Sequence, residues 1–241
     1  MSFYEEISKY YDYIFPVGEA QIKLISEIAK EPPKDLLDIA CGTGGYSIEL
    51  AKQGYKITAV DLDGKMIEEL NSKVRQHHLN INALQGDMLD LKKSIDSTFD
   101  LAFCIGNSLV HLQNEIQIGI FLKEARTLLR DSGSLVIQII NYDRVLASDI
   151  RSLPTIENRE IGLKFQRIYR YDTDNNKIFF KTILEVDEKK LENEIALYPI
   201  LSKNLIKLLH GAGFDHIQPY GDFKQSPFDK NNSYALVVVA S

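Results

Sequence analysis

The sequence is short of cysteine, of long apolar runs, of basic residues and of low-complexity stretches, and each shortage excludes a class of protein. Its two cysteines, Cys41 and Cys104, fall at the ends of different predicted strands with no ligand-type residue beside either. That argues against a disulfide framework or a bound metal, and both are read as buried thiols. No apolar stretch approaches the roughly 20 residues that cross a bilayer. The opening Met1-Ser2-Phe3-Tyr4-Glu5-Glu6 has no basic stretch leading into an apolar core, so a cytoplasmic location without a membrane partner is expected. Lys and Arg total 28 against 34 Asp and Glu, for a formal net charge of -6. An acidic chain has no general attraction for phosphate backbones, and nucleic acid is not an expected partner.

What is present is ordinary globular composition, 44% hydrophobic and 26% charged in 241 residues, enough for one core. No repeat or linker divides it, so a single domain over 1–241 is expected. An aromatic opening (Phe3, Tyr4, Tyr10, Tyr11, Tyr13, Phe15) leads into an amphipathic helix over Glu19 to Lys30, stopped by Pro32 and Pro33. Strands and helices then alternate. Strands are predicted at Leu36 to Ala40, Lys56 to Val60, Ile81 to Gln85, Phe99 to Cys104 and Ser134 to Ile140. Between them fall helices at Tyr46 to Gln53, Gly64 to His77 and Ile116 to Leu129. Nearly continuous apolar strands in this rhythm predict an α/β, doubly wound, Rossmann-like parallel sheet.

After Tyr142 the pattern changes. Lys164 to Tyr171 and Lys177 to Val186 alternate polar with apolar around the turn cluster Asp172-Thr-Asp-Asn-Asn176, a hairpin signal. With a third strand at Glu192 to Tyr198, they predict a small antiparallel β insertion over 151–200. A helix from Ser202 to His210, with Ser202 as its cap and Gly211 as its stop, returns to the main pattern. Strands at Asp215 to Tyr220 and Tyr234 to Ala240 end it.

The chemistry concentrates at Leu36-Leu-Asp-Ile-Ala-Cys-Gly-Thr-Gly-Gly45, a strand running through a glycine-rich turn into a helix. Gly42 and Gly44 permit the sharp turn and close approach of a nucleotide-like ligand. Asp61, 19 residues after Gly42, can accept hydrogen bonds from both ribose hydroxyls, and Leu62 follows it into the same pocket. Ser47 stands where a dinucleotide fingerprint has its third glycine, and Asp38 would repel a pyrophosphate while suiting a cationic amino acid moiety. These charges favour S-adenosylmethionine over a dinucleotide. Asp87 after the third strand is placed to accept from the adenine amino group, with Met88 against the ring. Beyond the fourth strand, Asn107 offers both a donor and an acceptor. His111 reads as a cofactor contact, a base or a histidine satisfied at a helix start.

The cofactor turn, the acidic second-strand end and the post-strand aspartate resemble the class I S-adenosylmethionine methyltransferases over about residues 36–140. Phe99-Asp-Leu-Ala-Phe-Cys-Ile-Gly-Asn-Ser-Leu-Val-His-Leu112, Asn141-Tyr-Asp143 and Gly221-Asp-Phe-Lys224 are similar to the glycine and sarcosine N-methyltransferase branch. The resemblance implies that Ala40, Asp61, Met88, Ile105 and His111 line the cofactor, that Asn107 lies between cofactor and substrate, and that the protein self-associates. It also places an arginine just before Asn-Tyr-Asp to grip an amino acid carboxylate, and here that residue is Ile140. Losing such a buried pair costs about 2–5 kcal/mol. Arg144, Arg167 and Arg170 are the replacements on offer, with exposed surface arginines the plainer reading.

Methyl transfer needs alignment and water exclusion more than a strong base. Asn107 and Tyr11 are therefore the expected positioning groups around a small-molecule acceptor, which through the resemblance is an amine. The rivals are a noncatalytic S-adenosylmethionine-binding regulator and a nucleic-acid methyltransferase. The latter is disfavoured by the lack of an Asn/Asp-Pro-Pro-aromatic motif after the fourth strand.

Overall fold

The computed structural model describes residues 7–241. After a 3-10 turn at Ser8–Tyr10 come the short helix α1 (Tyr11–Ile14) and helix α2 (Glu19–Ala29). The alternating run is β1 (Asp35–Ile39), α3 (Gly45–Lys52), β2 (Lys56–Asp61), α4 (Gly64–His77), β3 (Ile81–Gln85), β4 (Phe99–Cys104), α5 (Glu115–Thr127) and β5 (Leu129–Ile140). Helix α6 (Tyr142–Ala147) leads into β6 (Ser152–Asn158), β7 (Leu163–Asp172), β8 (Lys177–Val186) and β9 (Lys189–Leu197). Helix α7 (Ser202–Gly211), β10 (Ile217–Tyr220) and β11 (Ala235–Ala240) close the chain.

Seven strands form the main sheet in the order β10-β11-β5-β4-β1-β2-β3. β1 to β5 are parallel, and β11 runs antiparallel to both neighbours. The order reverses at β1 and β4, the switch point beside which α/β sheets bind ligands. Apolar clusters cover both faces: Phe121, Leu122 and Leu209 on one side, Leu24, Ile25 and Leu70 on the other. The doubly wound expectation holds. The second sheet, β6-β7-β8-β9, is antiparallel throughout. It has four strands where the alternation predicts three. β6 is hidden because its burial follows no clean alternation and Pro154 sits in it, at a bulge between Leu153 and Ile156 on the sheet edge.

Several boundaries differ from expectation. Leu128 closes α5, and Leu129 already pairs with Phe99, so β5 starts five residues early. Ser202 is the first residue of α7 rather than its cap; Leu201 holds that position, and the Ser202 N–H donates to the Asp143 carboxylate at 2.8 Å. Gly211 is the last residue of the helix rather than the stop beyond it; Ala212 holds the cap, ahead of Gly213 at φ 93°. Cys104 is fully buried, whereas Cys41 is only half-buried. Among the described residues no helix is long and apolar enough to cross a membrane, and no cluster of His, Cys, Asp and Glu forms a metal cage.

Candidate active site

The loop after β1 is built on left-handed backbone. Ala40, Gly42 and Gly44 have φ of 59°, 56° and 78°. At Gly44 a Cβ would lie 2.2 Å from Leu70 Cδ1, so only glycine lets α3 pack against α4. At Gly42 it would come within 3.0 Å of the Tyr11 ring, which lies over the loop. Ala40 keeps its Cβ in this conformation at a cost of about 1–2 kcal/mol. No side chain caps α3, which leaves the first-turn N–H groups for a ligand.

Two carboxylates flank the loop. Asp61 Oδ2 accepts from Gly42 N–H at 2.8 Å and Oδ1 from Asp63 N–H at 2.9 Å. Each oxygen retains a lone pair for a ribose hydroxyl. Burial raises the Asp61 pKa against the backbone N–H groups that lower it. Asp38 is buried, and the Ser47 hydroxyl donates to it at 2.6 Å. Burial pushes its pKa up to about 7, with the Ser47 bond opposing and Asp61 adding to the rise. The serine that interrupts the dinucleotide pattern is therefore the partner of the buried acid, a role the sequence reading missed. Its only signal is its place in the first turn of α3, facing the strand it follows.

Because β4, β1, β2 and β3 lie side by side, the expected cofactor residues form one row at the carboxyl ends of the strands. Gly86 N–H donates to Asp61 O at 2.9 Å and Gln85 Nε2 to Leu62 O at 3.1 Å, joining the ends of β2 and β3. Leu62 is 66% exposed, an apolar side chain open to solvent beside Asp61. Asp87 is exposed, with Oδ1 accepting from Leu89 N–H at 2.9 Å, and Met88 is half-buried. Ile105 is buried at the end of β4, and at Gly106 a Cβ would meet nothing within 4 Å. His111 is exposed at the end of the turn after β4, and the desolvation it does experience lowers its pKa and favours the neutral imidazole. Glycine turn, ribose-type carboxylate and apolar wall fit an adenosyl group.

Asn107 has both ends of its carboxamide committed to the protein. Its Oδ1 accepts from Ile140 N–H at 2.9 Å and its Nδ2 donates to the Tyr142 hydroxyl at 3.1 Å. It ties β4 to β5 at the open end of the sheet and fixes the fully buried Tyr142, acting as a brace rather than as the free donor and acceptor that its position suggests. The neighbouring motif is a tripod. Asn141 Nδ2 donates to Lys230 O at 3.0 Å and Ser233 O at 2.9 Å, Tyr142 meets Asn107, and Asp143 caps α7. Sequence reading singled the motif out but gave Tyr142 no role.

The amino-terminal segment reaches from this loop to the second sheet. Asp12 accepts from Thr43 Oγ1 and from Lys73 Nζ, each at 2.5 Å. Tyr11 and Phe15 rings are 5.1 Å apart, and Phe15 meets Phe165 of β7 edge-on at 5.8 Å. Tyr13 is 49% exposed; Phe3 and Tyr4 lie outside the described residues. Ile140 is buried. Of the three arginines, Arg170 is on the outer surface, 4.1 Å from the Phe179 ring and 3.4 Å from Glu194. Arg144 lies 5.3 Å from the Tyr234 ring, and Arg167 donates to Pro154 O at 2.7 Å.

Residues 36–133 match the family described as "Methyltransferase domain". A methyltransferase domain thus occupies those residues, and together with the doubly wound sheet and its glycine loop it supports a class I methyltransferase enzyme that uses S-adenosylmethionine as its cofactor. Within that class it is 27% identical over 209 residues to the glycine/sarcosine N-methyltransferase of Aphanothece halophytica, across 87% of this chain and 76% of that protein. It is 33% identical over 129 residues to human glycine N-methyltransferase, across 47% and 43%. Among solved structures, an S-adenosylmethionine-dependent methyltransferase from Clostridium acetobutylicum superposes with a TM-score of 0.84 at 17% identity, across 100% of this chain and 99% of that one.

Proposed function

We propose that the chain transfers a methyl group from S-adenosylmethionine to the nitrogen of a small-molecule amine. The roof over the strand ends carries this reading. The sheet β6–β9 is fastened to the main body through Tyr198 N–H to Val110 O at 2.8 Å, Lys177 Nζ to Gln113 O, and its packing against Ile7, Tyr10 and Ile14. A polymer substrate would need an open groove where this roof lies. The nitrogen acceptor is supported by the similarity to glycine/sarcosine N-methyltransferases across most of the chain.

In this reading Asp61 holds the ribose hydroxyls, Leu62, Met88 and Ile105 flank the adenine, and Asp87 takes its amino group. Gly42 and Gly44 admit the amino acid end. The bound cofactor supplies an activated methyl on a sulfonium. The chain's own work is to exclude water with the roof and to align the acceptor. Tyr11 borders the loop, while Asn107 acts as a positioning residue through Tyr142. The neutral His111 and the phenols near the strand ends suit an acceptor that arrives as a free amine, which needs no strong base. Purified protein incubated with S-adenosylmethionine and a metabolite extract, with glycine and sarcosine run separately, tests this. Mass spectrometry is expected to find S-adenosylhomocysteine together with an N-methylated product. Cofactor binding without turnover on any amine would overturn the reading in favour of a regulator.

A further inference from the structure

The inner face of the roof is apolar at both ends and polar in the middle. Pairing across the four strands puts Leu153, Arg167, Thr182 and Asn193 in one row. On one side of it Phe165 and Leu184 pack with the amino-terminal segment. On the other, Tyr169 and Phe180 join the apolar cluster that contains Tyr142 and Val145.

The row holds polar atoms that nothing satisfies. Thr182 is 1% exposed and its hydroxyl has no hydrogen-bond partner. Arg167 Nε is buried without a partner, while the same guanidinium is anchored through Nη2 on Pro154 O, in the bulge of β6. The Tyr169 hydroxyl, two residues along β7 on the same face, is buried beside the Tyr142 hydroxyl, its polar neighbour, without a well-formed hydrogen bond. No carboxylate pairs with Arg167 among the described residues.

Buried polar groups are nearly always satisfied, and three together on one face mark a place shaped for something else. A neutral partner would bond the hydroxyls and leave the guanidinium charge without a counterion, which is costly under a roof. An oxyanion meets both needs: it accepts from all three groups, and a guanidinium fork matches it in shape and charge. Through Tyr169 and Tyr142 the row is linked to Asn107 at the end of β4, so a molecule held there by one end points its other end toward the cofactor loop.

We propose that Arg167, Thr182 and Tyr169 form the subsite that holds an oxyanion of the methyl acceptor, a carboxylate or a phosphate. The acceptor is thus an amine carrying an anionic group. This rests on the methyltransferase reading for the acceptor but is tested by binding alone.

The experiment measures thermal stabilisation and binding isotherms of the full chain, with and without S-adenosylhomocysteine. The probes are acetate, glycine, glycinamide and inorganic phosphate, against chloride at equal ionic strength. Carboxylates or phosphate are expected to stabilise the wild type and glycinamide not to; which anion responds identifies the oxyanion. Arg167→Gln is expected to weaken that binding about tenfold to hundredfold, and Thr182→Val several-fold. Arg170→Gln, on the outer face, leaves it unchanged. If no anion responds, or if the response survives in both Arg167→Gln and Thr182→Val, the proposal is wrong. A purely structural Arg167 would lower the melting temperature of its variant without altering the anion response. Thr182→Val keeps shape and volume, so it tests the subsite even if the arginine variant fails to fold. Failure to bind S-adenosylhomocysteine would count against the methyltransferase assignment, whereas binding it without an anion response counts against this subsite alone.

Discussion

Asp38 is an acid whose protonated form the fold favours, because burial raises its pKa to about 7 from 3.8. The native state therefore binds more protons than the unfolded one within that window. Its stabilising contribution is complete below about pH 4 and is lost as pH rises through about 7. In urea unfolding, Asp38→Asn is expected to flatten the fall in stability across that range. A cationic cofactor nearby favours the carboxylate, so binding near pH 7 should release protons. Calorimetry in buffers of different ionisation enthalpy will detect this in the wild type and find it diminished in Asp38→Asn. Thr182 gives the opposite kind of result. Replacing an unsatisfied buried hydroxyl by an isosteric methyl removes a desolvation penalty. Thr182→Val should raise the stability of the free protein by about 1 kcal/mol, or about 2–4 °C in Tm, while it weakens anion binding. Asn107→Ala removes two partly buried hydrogen bonds from a residue at φ 70° and is expected to cost about 1–3 kcal/mol. Asn107→Gly relieves the backbone without restoring the amide. If the glycine variant recovered full stability, the brace would be backbone geometry alone.

At the scale of elements, what can be read in advance is what repeats along the chain. Strands β1 to β5 are continuous apolar runs, and the turn into α3 announces itself through consecutive glycines, so sheet, loop and Asp61 are legible. Contacts between residues far apart leave no such trace. Asn107 meets Tyr142 across 35 positions, and Asp143 caps a helix 59 residues on. No period in the sequence encodes either. Nor does composition reveal that Arg167 faces inward and Arg170 outward, since that depends on β7 being paired in one register rather than the next. The contact between α1 and the loop is open to a double-mutant cycle. Gly42→Ala forces a methyl within 3.0 Å of the Tyr11 ring at a positive φ, and should weaken S-adenosylhomocysteine binding in the wild type more than in Tyr11→Ala. A coupling of about 1 kcal/mol is expected; additivity would show that the ring and the loop do not meet.

Across the whole molecule, the amino-terminal segment connects parts that are distant in sequence. One chain of rings, Tyr11 to Phe15 to Phe165, starts at the glycine loop and ends in the roof, and the carboxylate of Asp12 pins the same segment to Thr43 and Lys73. The segment works as a single bolt across two doors. Because one segment spans both, a substitution that loosened it would be felt at the cofactor loop and at the inner face of the roof together.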